Sequence, residues 1–318
     1  MKALTKEQNE QIEKIKRLKK EKDAIILVHN YQRPEIYEVA DYIGDSLGLC
    51  VKAQEMKAKI IVFCGVHFMA ESAAVMNPDK KVLLPALDAG CALADMITAE
   101  ALIKEQAKYP EAATVCYVNS TADVKAASDI CCTSSNAVEV VKSLPNKQIL
   151  MVPDKNLASF VAKQLPDKEI IAWDGFCPIH HKITAPYILE AKKKKPNAKI
   201  LAHPECRDEV LQLSDFVGST EAIVKFATED DGEEYIVLTE CGMIQRLMKE
   251  NSNKKFYTVC GLCYDMKKIT LERIINSLEN EEYEITVPFD IAVKARESLD
   301  KMFLINKKNK QILLPVNS

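Results

Sequence analysis

The sequence predicts an α/β protein made of three homologous three-layer α/β/α units with parallel sheets, set around a pseudo-threefold axis. Three observations carry this expectation. One polar pattern occurs three times: His29-Asn-Tyr31 through Asp41 to Ser46, Tyr117-Val-Asn119 through Asp129 to Ser134, and His203-Pro-Glu205 through Asp215 to Thr220. In each copy the first polar residue stands twelve positions before the Asp and the hydroxyl residue five after it. Met69, Leu157 and Met243 continue the register, and Cys91, Cys177 and Cys263 close the copies at spacings of 86 residues. A period this long is a whole α/β unit rather than a solenoid turn. Lastly, short continuous apolar runs alternate with helical patterns, as in parallel sheets covered on both faces.

Taken in order, residues 6–22 read as a charged amphipathic helix and 24–28 as the first buried strand. Pro34 opens a helix that Gly44 closes, and a second helix spans 46–58. Residues 60–64 are a strand, 69–76 a helix, 82–84 a strand, and 92–109 a helix leading into the second copy. The strands there are 114–118, 130–132, 149–152 and 169–172; in the third copy they are 199–202, 215–217, 235–238 and 256–259. A last amphipathic helix, 288–305, is expected to pack back on the first unit, with a frayed tail after Lys307. The expected units are 1–110, 111–196 and 197–269, with the helices of 270–318 returning to the first.

Length and composition limit the class. The 318 residues suggest about two domains by size, while the internal period argues for three small ones. With 47% apolar and 28% charged residues the chain is an ordinary globular one. A net charge of −3 gives no electrostatic reason to expect nucleic acid. The Lys192–Lys195 run closes a helix before Pro196, where cations suit the dipole. No run of 18 apolar residues exists, and residues 1–23 are too charged for a signal peptide, so no membrane partner and a cytoplasmic location are expected. Eleven cysteines in that compartment are thiols or metal ligands rather than a disulfide framework.

In a parallel sheet the loops after the strand carboxyl ends form the site face. His29, Tyr117 and His203, with Tyr31, Asn119 and Glu205 two residues on, follow the first strand of each copy; the repeated cysteines follow the last. Three such edges aimed at one axis make a single shared site. Cys50, Cys64, Cys116, Cys131 and Cys132 read as small buried hydrophobes, and Cys206 and Cys241 as structural. Cys91, Cys177 and Cys263 instead read as metal ligands. Three thiolates leave one coordination position open, which suits zinc with water or an iron–sulfur cubane with one iron free to act as a Lewis acid. Ser46, Ser134 and Thr220 stand at helix starts, where they suit both capping and anion binding. Tyr31, Tyr117, His203 and Glu205 are the candidate proton carriers, with the charged form of Glu205 expected to be disfavoured. His180 is a further candidate, ahead of His67 and His181.

At this point the motifs resemble the quinolinate synthase family of NAD biosynthesis along essentially the whole chain. They are His29-Asn-Tyr-Gln, Gly44-Asp-Ser, Tyr117-Val-Asn-Ser, Cys131-Cys-Thr-Ser-Ser-Asn, Trp173-Asp-Gly-Phe-Cys-Pro-Ile-His, His203-Pro-Glu-Cys and Cys263-Tyr-Asp-Met-Lys. The resemblance implies condensation of iminoaspartate with dihydroxyacetone phosphate to quinolinate, phosphate and water. It implies a [4Fe–4S] cluster on Cys91, Cys177 and Cys263, whose fourth iron meets substrate. It also implies L-aspartate oxidase or aspartate dehydrogenase as upstream supplier. Some members carry a CxxCxxC run near the last ligand; here Cys260 and Cys263 are followed by Met266. The competing readings are a non-catalytic metal or small-anion binder with the same pocket and a zinc hydrolase.

Overall fold

The computed structural model describes residues 4–259 and 261–312. Its strands form three four-stranded parallel sheets. The first contains β1 (Ala24–His29), β2 (Tyr42–Gly44), β3 (Ile60–Cys64) and β4 (Lys81–Leu83). The second contains β5 (Ala113–Tyr117), β6 (Ile130–Cys132), β7 (Gln148–Val152) and β8 (Glu169–Ala172). The third contains β9 (Lys199–Ala202), β10 (Phe216–Val217), β11 (Glu234–Leu238) and β12 (Lys255–Thr258). All three have one order: β2-β1-β3-β4, β6-β5-β7-β8 and β10-β9-β11-β12. The winding direction reverses beside the first strand of each unit, opening a crevice at the carboxyl ends there. β1, β3 and β5 are buried along their whole length, which is why they read as unbroken apolar runs.

The repeated aspartate is structural. Asp41, Asp129 and Asp215 each accept the backbone N–H of Ile26, Thr114 and Ile200 on the first strand, at 2.7, 2.8 and 2.7 Å. Each pins the second strand of its unit to the first. A second device repeats beside it. Lys80, Lys168 and Lys254 donate to pairs of carbonyls, Ala53 and Met56, Leu144 and Asn146, Ala227 and Asp230. These carbonyls lie at or just beyond the ends of Ser46–Glu55, Ala137–Ser143 and Thr220–Glu229, where helix carbonyls lack intrahelical partners.

Three expectations change. The span from Pro34 to Gly44 is a 3-10 turn, Pro34–Glu38, followed by β2 rather than one helix. Residues 92–109 break into Ala94–Met96 and Ala99–Gln106, because Thr98 caps the second piece by accepting the N–H of Ala101. The C-terminal helices divide their contacts. Leu271–Asn280 packs on Lys6–Glu21, and the strand edge of β4 is covered when Leu84 donates to Tyr283 and Ile285 to Val82. The final helix, Phe289–Ile312, instead lies on the second unit, against Ala122–Ala126 and β6. Its Ala295, Leu299 and Met302 are buried in that core, where each large side chain contributes roughly 1.5–3 kcal/mol. The short apolar strand β6 needs that cover. The tail beyond Ile312 lies outside the described residues. Among those described, no helix is long and apolar enough to cross a membrane.

Candidate active site

The first-strand loops of all three units meet at one cavity of about 200 Å³. It is lined by His29, Tyr31 and Ser46 from the first unit, Tyr117, Asn119 and Ser134 from the second, and His203, Glu205 and Thr220 from the third. Cys91, Cys177 and Cys263 line it as well. The histidine or tyrosine, the residue two on, the hydroxyl and the cysteine of every copy therefore reach the same space, as a pseudo-threefold arrangement requires, while the repeated aspartates stay outside it. His180 joins them, while His67 and His181 are not among the lining residues.

The two repeated histidines are held alike. Nδ1 of His29 accepts the backbone N–H of Tyr31 at 3.2 Å, and Nδ1 of His203 that of Glu205 at 3.3 Å. The ring hydrogen of each then sits on Nε2, and that of His203 is donated to Ser134 Oγ at 3.2 Å. Burial, aided by the Lys267 charge, pushes His29 down to about 3; burial and His180, against the pull of Glu205, do the same to His203. Both are neutral donors at physiological pH. No lysine or arginine is among the described lining residues, so an anion here must be met by uncharged N–H and O–H groups.

A continuous chain of polar atoms crosses the site. The Tyr31 hydroxyl lies 2.6 Å from Thr239 Oγ1, Thr239 Oγ1 2.8 Å from His180 Nε2, and His180 Nδ1 2.7 Å from a Glu205 oxygen. Tyr117 and Asn119 also donate to Glu205, the latter at 3.3 Å. Burial alone would raise the Glu205 carboxyl. The imidazoles of His180 and His203 and the donated hydrogen bonds outweigh it, holding the group down at about 2. Glu205 rests as a carboxylate, contrary to the expectation that its charged form is disfavoured. Tyr31 and Tyr117 go the other way: burial and the Glu205 charge hold both phenols protonated.

The repeated hydroxyls are not the helix caps. Asp45 caps the helix that begins at Ser46, accepting the N–H of Gly48, and Ser219 caps the one that begins at Thr220, accepting that of Ala222. Ser134 precedes Asn136, the cap position of Ala137–Ser143. In the first and third units a neighbour caps the helix, and in the second Asn136 holds the cap position without a side-chain cap bond, so in none of them is the repeated hydroxyl the cap. Thr220 Oγ1 accepts from Asn30 at 3.0 Å across the boundary between the first and third units.

The cysteines sit in one local setting. Each precedes a single helical turn: Ala94–Met96, Pro178–His181 and Met266–Lys268. Burial raises all three thiols, Cys91 to about 12; Cys263 adds to the rise at Cys91, and Cys91 to that at Cys177. The backbone N–H three residues on, of Ala94, His180 and Met266, opposes this by favouring thiolate. Three thiols gathered in one cavity, each facing an amide that favours its anion, fit a thiolate-bound metal group, whose positive charge offsets the desolvation. Cys177, His180 and Glu205 also bring ligand atoms within 4.8 Å of one another. Cys50, Cys64, Cys116, Cys131, Cys132 and Cys206 are buried, as their sequence contexts predict. Cys241 is disulfide-bonded, contrary to the expectation that the cysteines are thiols or metal ligands, and Cys260 lies outside the described residues.

Sequence reasoning missed Thr239, the middle atom of the polar chain. Its equivalents are Gly65 and Pro153, so the repeat gives no polar signal there. It also missed Asp154 and Glu240, although they stand 86 residues apart at equivalent places, because the first copy has Val66.

The family described as Quinolinate synthetase A protein matches residues 13–304. Among similar curated proteins is the quinolinate synthase of Methanosarcina barkeri, 49% identical over 301 residues, covering 94% of this chain and 99% of the relative. That of Thermodesulfovibrio yellowstonii is 50% identical, over 93% of this chain and 99% of its own. That of Caldicellulosiruptor saccharolyticus is 52% identical, over 92% and 98%.

Proposed function

The chain belongs to the Quinolinate synthetase A protein family and is a quinolinate-forming enzyme of NAD biosynthesis, and we propose that it condenses iminoaspartate with dihydroxyacetone phosphate, releasing phosphate and water. The observation that carries this reading is the unbroken chain Tyr31–Thr239–His180–Glu205 beside three cysteines in one cavity. In the same reading the enzyme is cytoplasmic and takes its imine from L-aspartate oxidase or an aspartate dehydrogenase. A binder without chemistry and a zinc hydrolase lose their support with the family membership.

Bound on Cys91, Cys177 and Cys263, a [4Fe–4S] cluster would supply an open iron that acts as a Lewis acid toward a leaving hydroxyl. The rest of the work falls to side chains. Nε2–H of His29 and His203, with the hydroxyls of Ser46, Ser134 and Thr220 and the amide of Asn119, would bind the carboxylates of the imine. Ring formation from these substrates needs phosphate loss, isomerisation, imine formation and dehydration, and the bond changes in these steps depend on protons being given and taken. Glu205 would act as the resting base, receiving a proton through His180, while the phenols of Tyr31 and Tyr117 would donate. The cavity walls from three units would keep water from the reactive imine.

Anaerobic Glu205→Gln is expected to keep iron, sulfide and substrate binding while losing turnover by roughly 10²-fold or more, the scale of general acid–base catalysis. Near wild-type turnover with an intact cluster would reduce Glu205 to a positioning group. Cys91→Ser, Cys177→Ser and Cys263→Ser are each expected to abolish iron and sulfide binding. Full loading of any one of them would remove that residue from the ligand set.

A further inference from the structure

We propose that Asp154 and Glu240 are positioning residues for the cluster ligands, two equivalent buried carboxylates that hold the loops of Cys177 and Cys263 by the cysteine's own amide. The inference rests on the reading of the three cysteines as cluster ligands and concerns what fixes them. Through Met69, Leu157 and Met243, the positions Val66, Asp154 and Glu240 are one place in the repeat. The next residue along makes the same backbone bond in every copy: His67 to Ala89, Lys155 to Gly175 and Cys241 to Gly261, at 2.8, 2.8 and 3.3 Å. Each acceptor stands two residues before the cysteine. Copies two and three add a side-chain hold. Asp154 Oδ2 accepts the N–H of Cys177 at 2.9 Å, and Glu240 Oε1 that of Cys263 at 3.1 Å.

Both carboxylates are fixed on their other side. Asp154 is 2% exposed and caps Lys155–Gln164 by accepting the N–H of Leu157 at 2.8 Å. Glu240 is 1% exposed, accepts the N–H of Gly242 at 2.6 Å and pairs with Lys267 at 3.2 Å. Lys267 in turn donates to the carbonyl of Tyr31, tying the Cys263 loop to the first unit. The chain passes so close here that a Cβ on Gly175 would stand 2.3 Å from the Pro153 carbonyl. One on Gly242 would stand 2.7 Å from Glu240 Oε2. The Val66 side chain can accept no hydrogen bond, so Cys91 lacks this side-chain hold. The three ligands are unequal, and the two carboxylates set the geometry of Cys177 and Cys263.

Asp154→Ser keeps a side chain that caps the helix but is too short to reach Cys177. Glu240→Gln keeps the length of the side chain but places an amide nitrogen against a donor. Both are prepared anaerobically with iron and sulfide and compared with Asp129→Ala and Asp215→Ala, which weaken the same two units away from the cysteines. Iron release to a ferrous chelator is expected to be 10–100-fold faster in the first pair, the usual cost of losing a group that orients a ligand. The EPR line shape of the reduced cluster is expected to change in that pair and not in the controls. Release as slow as wild type, or only as fast as in the controls, overturns the proposal. Should Asp154→Ser not fold, Glu240→Gln decides it alone. A wild-type protein that holds no iron and sulfide sinks the functional reading itself, a different failure.

Discussion

At the scale of the residue, the site works by neutrality as much as by charge. His29 and His203 titrate near 6.5 in the unfolded chain and near 3 in the fold, so between those values the unfolded state binds more protons. Stability should then rise with pH across that window. Asp154, pushed up to about 7 by burial and the Glu205 charge, acts in the opposite sense between 3.8 and 7. One group opposes two. The urea midpoint of the metal-free protein is therefore expected to be lower at pH 5 than at pH 7.5. His29→Asn should flatten the difference; an unchanged pH dependence in that variant would show that His29 is not a source of it. Thr239 is tested separately. Thr239→Val keeps the shape and removes the hydroxyl between Tyr31 and His180. Turnover is expected to fall by roughly 10²-fold with the cluster retained, and a rate within threefold of wild type would show that the chain of atoms carries no proton.

At the scale of the element, each unit is held by devices that the sequence repeats. The Asp41, Asp129 and Asp215 carboxylates replace a missing strand partner with a side-chain acceptor. Asp129→Ala leaves the N–H of Thr114 without its carboxylate in a largely buried setting and should cost about 1–3 kcal/mol, read as a lowered denaturant midpoint with unchanged slope. No shift in the midpoint would mean that water or a neighbour takes over the bond. The short strands β2, β6 and β10 depend on these pins most, since two or three residues give few ladder bonds of their own.

At the scale of the whole molecule, the units meet through the site. Tyr31 bonds Thr239, Asn30 bonds Thr220, His203 bonds Ser134, and the Trp173 ring nitrogen bonds the Met96 carbonyl at 3.0 Å. Every one of these joins two units, so a ligand that occupies the centre should stiffen all three. Quinolinate added to the loaded enzyme is expected to slow hydrogen exchange at residues 29–34, 117–121 and 203–207 together. Protection confined to one of the three stretches, with binding established independently, would contradict a shared site.

The sequence by itself determined the triplication, the parallel sheets and the repeated residues that line the cavity, because a repeated register forces equivalent side chains onto equivalent loops. Cys91, Cys177 and Cys263 were legible for the same reason, and β2 was legible in principle, since Ile130–Cys132 is its image in the next copy. What broke the repeat stayed hidden. Thr239 has Gly65 and Pro153 as counterparts, and Asp154 and Glu240 share a place that Val66 fills in the first copy, so the pattern is broken at each and only the distances reveal their partners. The charge of Glu205 was decided by the fold as well. Burial favours its neutral form, and of the groups that reverse this only His203 is a near neighbour in sequence; the His180 imidazole and the Tyr117 hydroxyl come from other loops. The seat of Phe289–Ile312 is likewise tertiary: an amphipathic face specifies that a helix is covered, and the exposed apolar strand elsewhere specifies by what.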